Sequence, residues 1–454
     1  MTLKKNAALA YYKEGANNAA PVFNNTTSPL RLLRLVSEDL NTRTQRDESN
    51  EIRGDAQSSG SVITSVGANG SLPLQYSLDT FDDLEVGLLY AASDSGTGRE
   101  AGWLQGGFTA LADIMASAAA ITFDSSDDSL NGTFARAPAA GERIYVTGFG
   151  NKNLDTIFVV DAGATTSKIP LVNDTGAADI ATYAGVSGTV NAASGLVQAV
   201  KGYTRNATTE HKFGLVRFYS DIELAGTTGT TGLTTVDWSL FRGAIATSLQ
   251  LAVAPGTAGW TGTMAFVCKD ETNISDATSA SNISGFQITN WDQFALQNSN
   301  SLANPIQSVL MVRLRKIGDA VTAATRVDPL SFNINTANGA QEIQATRNRG
   351  AIDVNQGTFQ ASVAMSLLYI DPTYHQSMLD DDAYEVEIGV ADAEGHAKLI
   401  RFPKNRLVSE RPNPGKNQPI QNNLTFTAEA GGDGFVGTAG TGKMLEILAF
   451  YLRA

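Results

Sequence analysis

The run Gly437–Met444, GTAGTGKM, satisfies G-x-x-x-x-G-K, the pattern whose backbone amides and lysine cradle nucleotide phosphates. The position that should supply a Mg²⁺-binding hydroxyl is Met444, and only ten residues follow it, too few for the βα units such a loop serves. A flexible Gly/Thr loop is the better reading. His211, His375 and His396 share no metal-ligand spacing. Asp380–Asp382 and the group Asp124, Asp127 and Asp128 offer carboxylates to a divalent cation. Neither has calcium-loop spacing, and both read as solvated turns. No G-x-S-x-G turn accompanies the histidines, and the lone Cys268 has no His beside it, so nucleophilic catalysis lacks a foundation. Carboxylate pairs for glycoside hydrolysis come from distant positions, and 46 acidic residues make their mere presence uninformative. Arg217 lies among the aromatics of Phe213–Tyr219, but one arginine is not the basic, aromatic track that binds single strands.

With chemistry unpromising, the elements that would position it carry more information. At 454 residues the chain exceeds one ordinary core, and 42% hydrophobic content is enough for two or three. Charged residues make up only 17%, and the formal charge is −13, against a grip on nucleic acid by phosphate neutralisation. One cysteine excludes an intrachain disulfide scaffold, and Cys268 reads as a small buried hydrophobe. The start, MTLKKNAALAYYKEG, lacks the apolar core of a signal peptide, and no run approaches the ~20 apolar residues that span a bilayer.

The most ordered stretch of the N-terminal quarter is Gly70–Ala91. Leu72, Leu74, Tyr76 and Leu78 alternate with polar or small residues, the period of a strand with one buried face. Thr80 then reads as a helix cap with Asp83 three places on, Asp82 adds charge at the positive helix end, and Phe81, Leu84 and Leu88 share one face. Upstream, residues 1–28 read as an arm, Leu30–Val36 as a strand, 37–53 as a doubly charged surface loop, and 61–66 as a separate strand. Strands at Glu142–Gly150 and Asp155–Ala162, with weaker ones at 168–172 and 195–200, predict a small β domain inserted over 122–204. The division is therefore 1–121, 122–204 and 205–454, the last resuming the first domain with long loops.

Beyond the insert, Ile245–Val253 and Trp260–Cys268 alternate around a Pro255–Gly259 turn and read as a long hairpin. A helix is expected near Trp291–Leu296. Phe359–Tyr369 and Tyr384–Val390 alternate on either side of one or two helical turns at Tyr374–Asp380, and MLEILAFYL reads as a strand buried on both faces. Gly357 thus opens a strand–helix unit that echoes the one opened by Gly70. This echo predicts a duplication or two halves of one sandwich.

The run SNEIRGDAQSSGSV followed by GSLPLQYSLDTFDDLEVGLL resembles the N-terminal signature of the tail tube proteins of long-tailed, siphovirus-type bacteriophages. The matching positions are Glu51, Ile52, Arg53 and Asp55, then Gly70, and then Thr80, Phe81, Asp82, Asp83 and Leu84, with Leu88 on the same helix face. VRFYSDIE, GTFQASVAMSLLYID and GERIYVTGFGNKNLDTIFVV resemble later parts of that family. The resemblance implies a mainly β fold with short helices, a β-sandwich or barrel flanked by a helix, with the small β domain inserted. It implies a non-enzymatic virion protein without cofactors, assembled in the host cytoplasm. Subunits would join edge to edge, six to a ring, and rings would stack into a hollow tail tube around a tape measure protein. Tail terminator and tip proteins would cap it, and DNA would pass without specific binding. The arm and the 37–55 loop are candidate subunit contacts, and 122–204 a candidate outward decoration. A tail-tip or fibre protein that binds the host, or a β-rich carbohydrate-active enzyme, are the alternatives.

Overall fold

A computed structural model describes the chain except residues 1–5, 16–29, 49–59, 79, 92–103, 106–108, 118–119, 124–136, 151–153, 166–167, 173–189, 201, 221–236, 258, 275–293, 296–302, 305–306, 320–324, 346–350, 370–371, 394, 415–418, 432–442 and 451–454. The chain opens with β1 (Asn6–Lys13), β2 (Leu30–Leu32), β3 (Asn41–Glu48), β4 (Ser61–Gln75) and α1 (Asp82–Leu88). After β5 (Leu104–Gln105) come β6 (Thr109–Ser117), β7 (Ala120–Phe123), β8 (Arg143–Thr147), β9 (Ile157–Val159), β10 (Lys168–Pro170) and β11 (Val190–Ala199). Then follow β12 (Gly202–Arg205), β13 (Phe213–Ser220), β14 (Asp237–Val253), β15 (Thr261–Cys268), β16 (Asp270–Ile274) and β17 (Phe294–Ala295). The last third holds β18 (Val309–Lys316), β19 (Thr325–Val327), β20 (Ser331–Ala337), β21 (Gln341–Ile343), β22 (Asp353–Asn355) and β23 (Gln360–Leu368). It ends with α2 (Thr373–Leu379), β24 (Ala383–Ala391), β25 (Ala397–Asn413), β26 (Gln421–Ala428) and β27 (Glu446–Ala449). The fold is mainly β with short helices, and its large antiparallel sheets are open rather than closed into a barrel.

The pairings reveal a duplication. In the first unit β4 pairs with β15, β15 with β14, and β14 with β13. In the second, β23 pairs with β26, β26 with β25, and β25 with β24. The outer partners correspond too. β1 and β2 flank β13 as β18 and β19 flank β24, and β3 lies on β4 as β20 lies on β23. β16 closes the first half of β14 as β27 closes the first half of β25. Each unit runs from strand to helix between its β4- and β13-type strands, α1 packing on β14 and α2 on β25. Even the irregularities coincide. β14 bulges between Ala246 and Ser248 against β15, β25 between Leu407 and Ser409 against β26, and a second bulge breaks each unit between Phe213/Leu215 and Tyr384/Val386. A bulge re-aims a strand. Here Gly243, at φ 59°, and Pro403 lie at the corresponding bend, where 17-residue β14 and β25 pass between layers.

The two units join through β14 and β20, giving one row of eight strands: β3, β4, β15, β14, β20, β23, β26, β25. One core runs under both, with Trp260, Tyr76, Phe81, Phe213, Phe241, Phe402 and Phe426 among its members. The insert is a six-stranded sheet, β10-β7-β6-β11-β8-β9, reached through the paired strands β5 and β12, with β12 in turn on β27. It takes in Thr109–Ser117, which the sequence division places before residue 122.

Several sequence expectations are corrected. Residues 6–13 are a strand of the main sheet, not an arm, and 41–48 form the edge strand β3, not a loop, because their backbone finds β13 and β4 to pair with. Residues 61–66 are no separate strand, since β4 runs unbroken to Gln75. Phe294–Ala295 pair in parallel with β2 and so belong to no helix. The hairpin β14–β15, the short helix α2 and the doubly buried β27 stand as expected, and Cys268 is fully buried.

Candidate functional site

Thr80 does not cap α1. Its hydroxyl accepts from Ser77 Oγ at 2.8 Å, and the cap position falls to Phe81, which has no side-chain bond to the helix. The acidic residues of the first turn are instead tied outward. Asp82 accepts from Lys398 Nζ on β25, and Glu85 takes the same ammonium at 2.8 Å and the Tyr76 hydroxyl at 2.7 Å. Asp83 accepts from Tyr11 Oη on β1 at 2.9 Å and from Arg31 on β2. The negative first turn thus fastens α1 to both units, because Lys398, fully buried, can keep its charge only beside two carboxylates and over the Tyr76 ring, 5.7 Å away. Burial and the neighbouring Glu85 push the Tyr76 phenol well above its ordinary range. Phe81, Leu84 and Leu88 turn into the core, Phe81 stacking on Tyr76. A Cβ on Gly70 would stand 2.5 Å from the Leu40 backbone, so glycine lets β3 lie close on β4. Glu51, Ile52, Arg53 and Asp55 lie outside the described residues, as do Asp124, Asp127, Asp128 and most of the Gly437–Met444 loop.

A second constellation was hidden in the sequence. Glu385 and Glu387 alternate with apolar residues on β24 and read there as an outward polar face, yet they are 2% and 0% exposed. The register sets Arg313 of β18 opposite Glu387, Arg315 opposite Glu385, and Arg401 of β25 opposite Glu387 on the other side. Glu387 accepts from Arg143 at 2.5 Å and from Arg313, and Glu385 from Arg315 and Arg401 at 2.7 Å each. Arg401 reaches on to Glu446 of β27 at 2.6 Å. Four guanidiniums therefore meet three carboxylates inside the protein. Burial alone would raise both Glu385 and Glu387, but Arg401 and Arg143 outweigh it at Glu385, and Arg143 and Arg313 at Glu387. Both are held below the usual carboxylate range. Arg143 comes from the inserted sheet, so the network also pins the insert to the second unit. The available signal was the E-x-E of β24 against the R-x-R of β18, 70 or more positions away.

The remaining candidates are absorbed locally. His211 is buried, with Nε2 2.7 Å from the Ala91 carbonyl, and burial lowers its pKa. His375 faces Glu410, and His396 faces Asp392. Asp381 and Asp382 pair with Arg406 and Lys316. Arg217 lies over Phe241 and binds Glu38, Glu271 and the Leu40 carbonyl. Among the described residues no group of three His, Cys, Asp or Glu side chains is placed to hold a metal, and no helix is long and apolar enough to cross a membrane. The carboxylates and arginines gathered here pair with one another and hold elements together. The open edges of the eight-strand row remain: the outer edge of β3 and the outer edge of the second half of β25, neither paired among the described residues.

Sequence comparison with curated proteins finds no match. The family described as phage tail tube protein matches residues 4–428, nearly the whole chain and both units. The chain therefore belongs to the phage tail tube protein family, and is a structural component of a bacteriophage tail.

Proposed function

We propose that this protein polymerises into stacked rings that form the hollow tube of a long, non-contractile, siphovirus-type tail, and that the tube conducts DNA during ejection. The observation that carries this reading is an open sheet whose two end strands, β3 and β25, have outer edges without a partner among the described residues, in a chain of this family. Such edges are templates for pairing with another chain. Assembly would take place in the host cytoplasm around a tape measure protein, with terminator and tip proteins at the two ends. The net charge of −13 would let a polyanion slide past without the cation contacts that create affinity. We propose no enzymatic role: the charged side chains described above are spent on one another. The six-stranded insert, joined through the paired strands β5 and β12 and pinned by Arg143, would sit on the outside of the tube. Electron microscopy of the purified full chain tests the reading. Rings or tubes are expected. Protein that stays monomeric at high concentration, together with tails built by virions lacking it, overturns it.

A further inference from the structure

The duplicated architecture contains, inside one chain, a copy of the seam that must form between chains. β14 ends the first unit and β20 begins the second, and they pair Ser248↔Ala337, Leu249↔Thr336, Gln250↔Asn335, Leu251↔Ile334 and Ala252↔Asn333. The counterpart of β14 is β25, and its second half has no partner on the corresponding side among the described residues. The counterpart of β20 is β3, whose far side is likewise open. Matching the bulges aligns Ser248 with Ser409, and matching the partners of β4 and β23 aligns Asn335 with Asn41 and Thr336 with Thr42.

We infer that the second half of β25 pairs antiparallel with β3 of a second copy, in the register Ser409↔Arg43, Glu410↔Thr42, Arg411↔Asn41, Pro412↔Leu40 and Asn413↔Asp39. The inference rests on the ring reading above and specifies its joint. Two separate observations agree on which backbone groups face outward. The Asn338 N–H donates to Thr247 O at 2.9 Å, so in the internal seam Thr247, Leu249 and Leu251 bond across, and their counterparts are Val408, Glu410 and Pro412. On the other edge the Asp39 N–H donates to Ser71 O, so Asp39, Asn41 and Arg43 bond inward to β4 and Leu40, Thr42 and Thr44 face out. These outward sets meet in the stated register.

Pro412 fits this joint. It brings no N–H to Leu40, whose carbonyl already accepts from Arg217 at 2.8 Å and whose N–H already donates to Glu38 Oε2 at 3.0 Å. This pair therefore ends the ladder without a cross-strand bond and strands neither group of Leu40. A proline at an outward position also discourages promiscuous pairing of the free edge. Val408, 55% exposed in the single chain, is the counterpart of a residue bonded inside the internal seam. Across the new seam Arg411 lies diagonal to Asp39, an attraction of opposite charges on one face. Each chain then supplies two repeating units, so a ring holds half as many chains as units. The six positions that the family resemblance implies would take three chains.

Cysteine pairing tests the seam. Arg411↔Asn41 is a non-hydrogen-bonded pair, the kind whose Cα atoms lie ~4.5 Å apart and can be bridged. Within one chain these positions stand at opposite ends of the eight-strand row, seven spacings of ~4.8 Å, so a bridge must join two copies. The full chain carrying Asn41→Cys and Arg411→Cys is assembled and oxidised beside two comparisons. Gln250→Cys with Asn335→Cys closes the internal seam, and Asn41→Cys with Asn413→Cys is slipped by two residues. Expected is a covalent ladder of chain multiples from the first pair, an intrachain bridge from the second, and no ladder from the third. Tubes without a ladder, while the internal control closes, overturn the seam and leave the ring reading standing. Equal ladders from the slipped pair overturn the register. A wild-type chain that forms no rings or tubes overturns the ring reading and the seam with it.

Discussion

Replacing Glu387 by glutamine keeps the size of the side chain and removes one charge from the centre of the buried network. In the native protein its two oxygens serve Arg143, Arg313 and Arg401, and the residue is fully enclosed. The change leaves four guanidiniums facing two carboxylates, with water excluded. Removing one partner of a buried pair costs about 3–5 kcal/mol, because the remaining charge stays desolvated. Unfolding of the full chain at low protein concentration, followed by tryptophan fluorescence in urea at pH 7, should show a loss of that size. The pH dependence follows from the direction of the shifts. Glu385 and Glu387 are held below their unfolded value near ~4.3, so their contribution is fully present above that pH and is lost as pH falls toward their folded values. Wild-type stability should therefore fall steeply below about pH 4, and Glu387→Gln should fall less steeply, having one such group fewer. Pairing it with Arg143→Met should recover part of the loss, since one uncompensated cation is then gone. A loss under about 1 kcal/mol at pH 7, with no recovery in the double variant, would show that the network does not depend on this charge balance.

Glu14, buried with Oε1 accepting from the Gly243 N–H, is pushed up to about 7, first by burial. A raised folded value means that ionisation costs stability as pH rises from about 4.5 through 7. Glu14→Gln should therefore match wild type at pH 5 and exceed it by roughly 2–3 kcal/mol at pH 8, read from urea midpoints at the two pH values. Lys398→Met leaves Asp82 and Glu85 facing each other without their cation, and should cost about 3–5 kcal/mol in the same assay; the loss should be smaller in the triple variant with Asp82→Asn and Glu85→Gln. Gly70→Ala places a methyl against the Leu40 backbone and should lower stability by about 1–3 kcal/mol, with hydrogen exchange of β3 rising before that of β23. Equal exchange in both strands would contradict a local clash.

Much of the β framework was legible because burial on one side of a strand imposes a period of two on neighbouring residues. β4, the β14–β15 hairpin, β23 and β24 declare themselves in this way, and the echo of Gly70 at Gly357 pointed to the repeat. Residues 41–48 gave no such sign. β3 is an edge strand held by backbone bonds to β4, and an exposed edge places no apolar demand on its side chains. Thr80 looked like a cap because cap patterns are local, whereas its hydroxyl is engaged by Ser77 and the acidic turn answers to Lys398, over 300 residues away.

From its sequence alone, then, this chain is strand-rich, echoes a strand–helix unit, and resembles the tail tube family at Gly70 and Thr80–Leu84. The first two follow from composition and local periodicity, the third from the likeness of a short motif. Only the tertiary structure decided that Glu385 and Glu387 are interior, that Arg143 ties the insert to the second unit, and that, among the described residues, the outer edges of β3 and of the end of β25 have no strand beside them. Each of these depends on which distant strands become neighbours, and strand order is set by long-range pairing that no window of sequence contains.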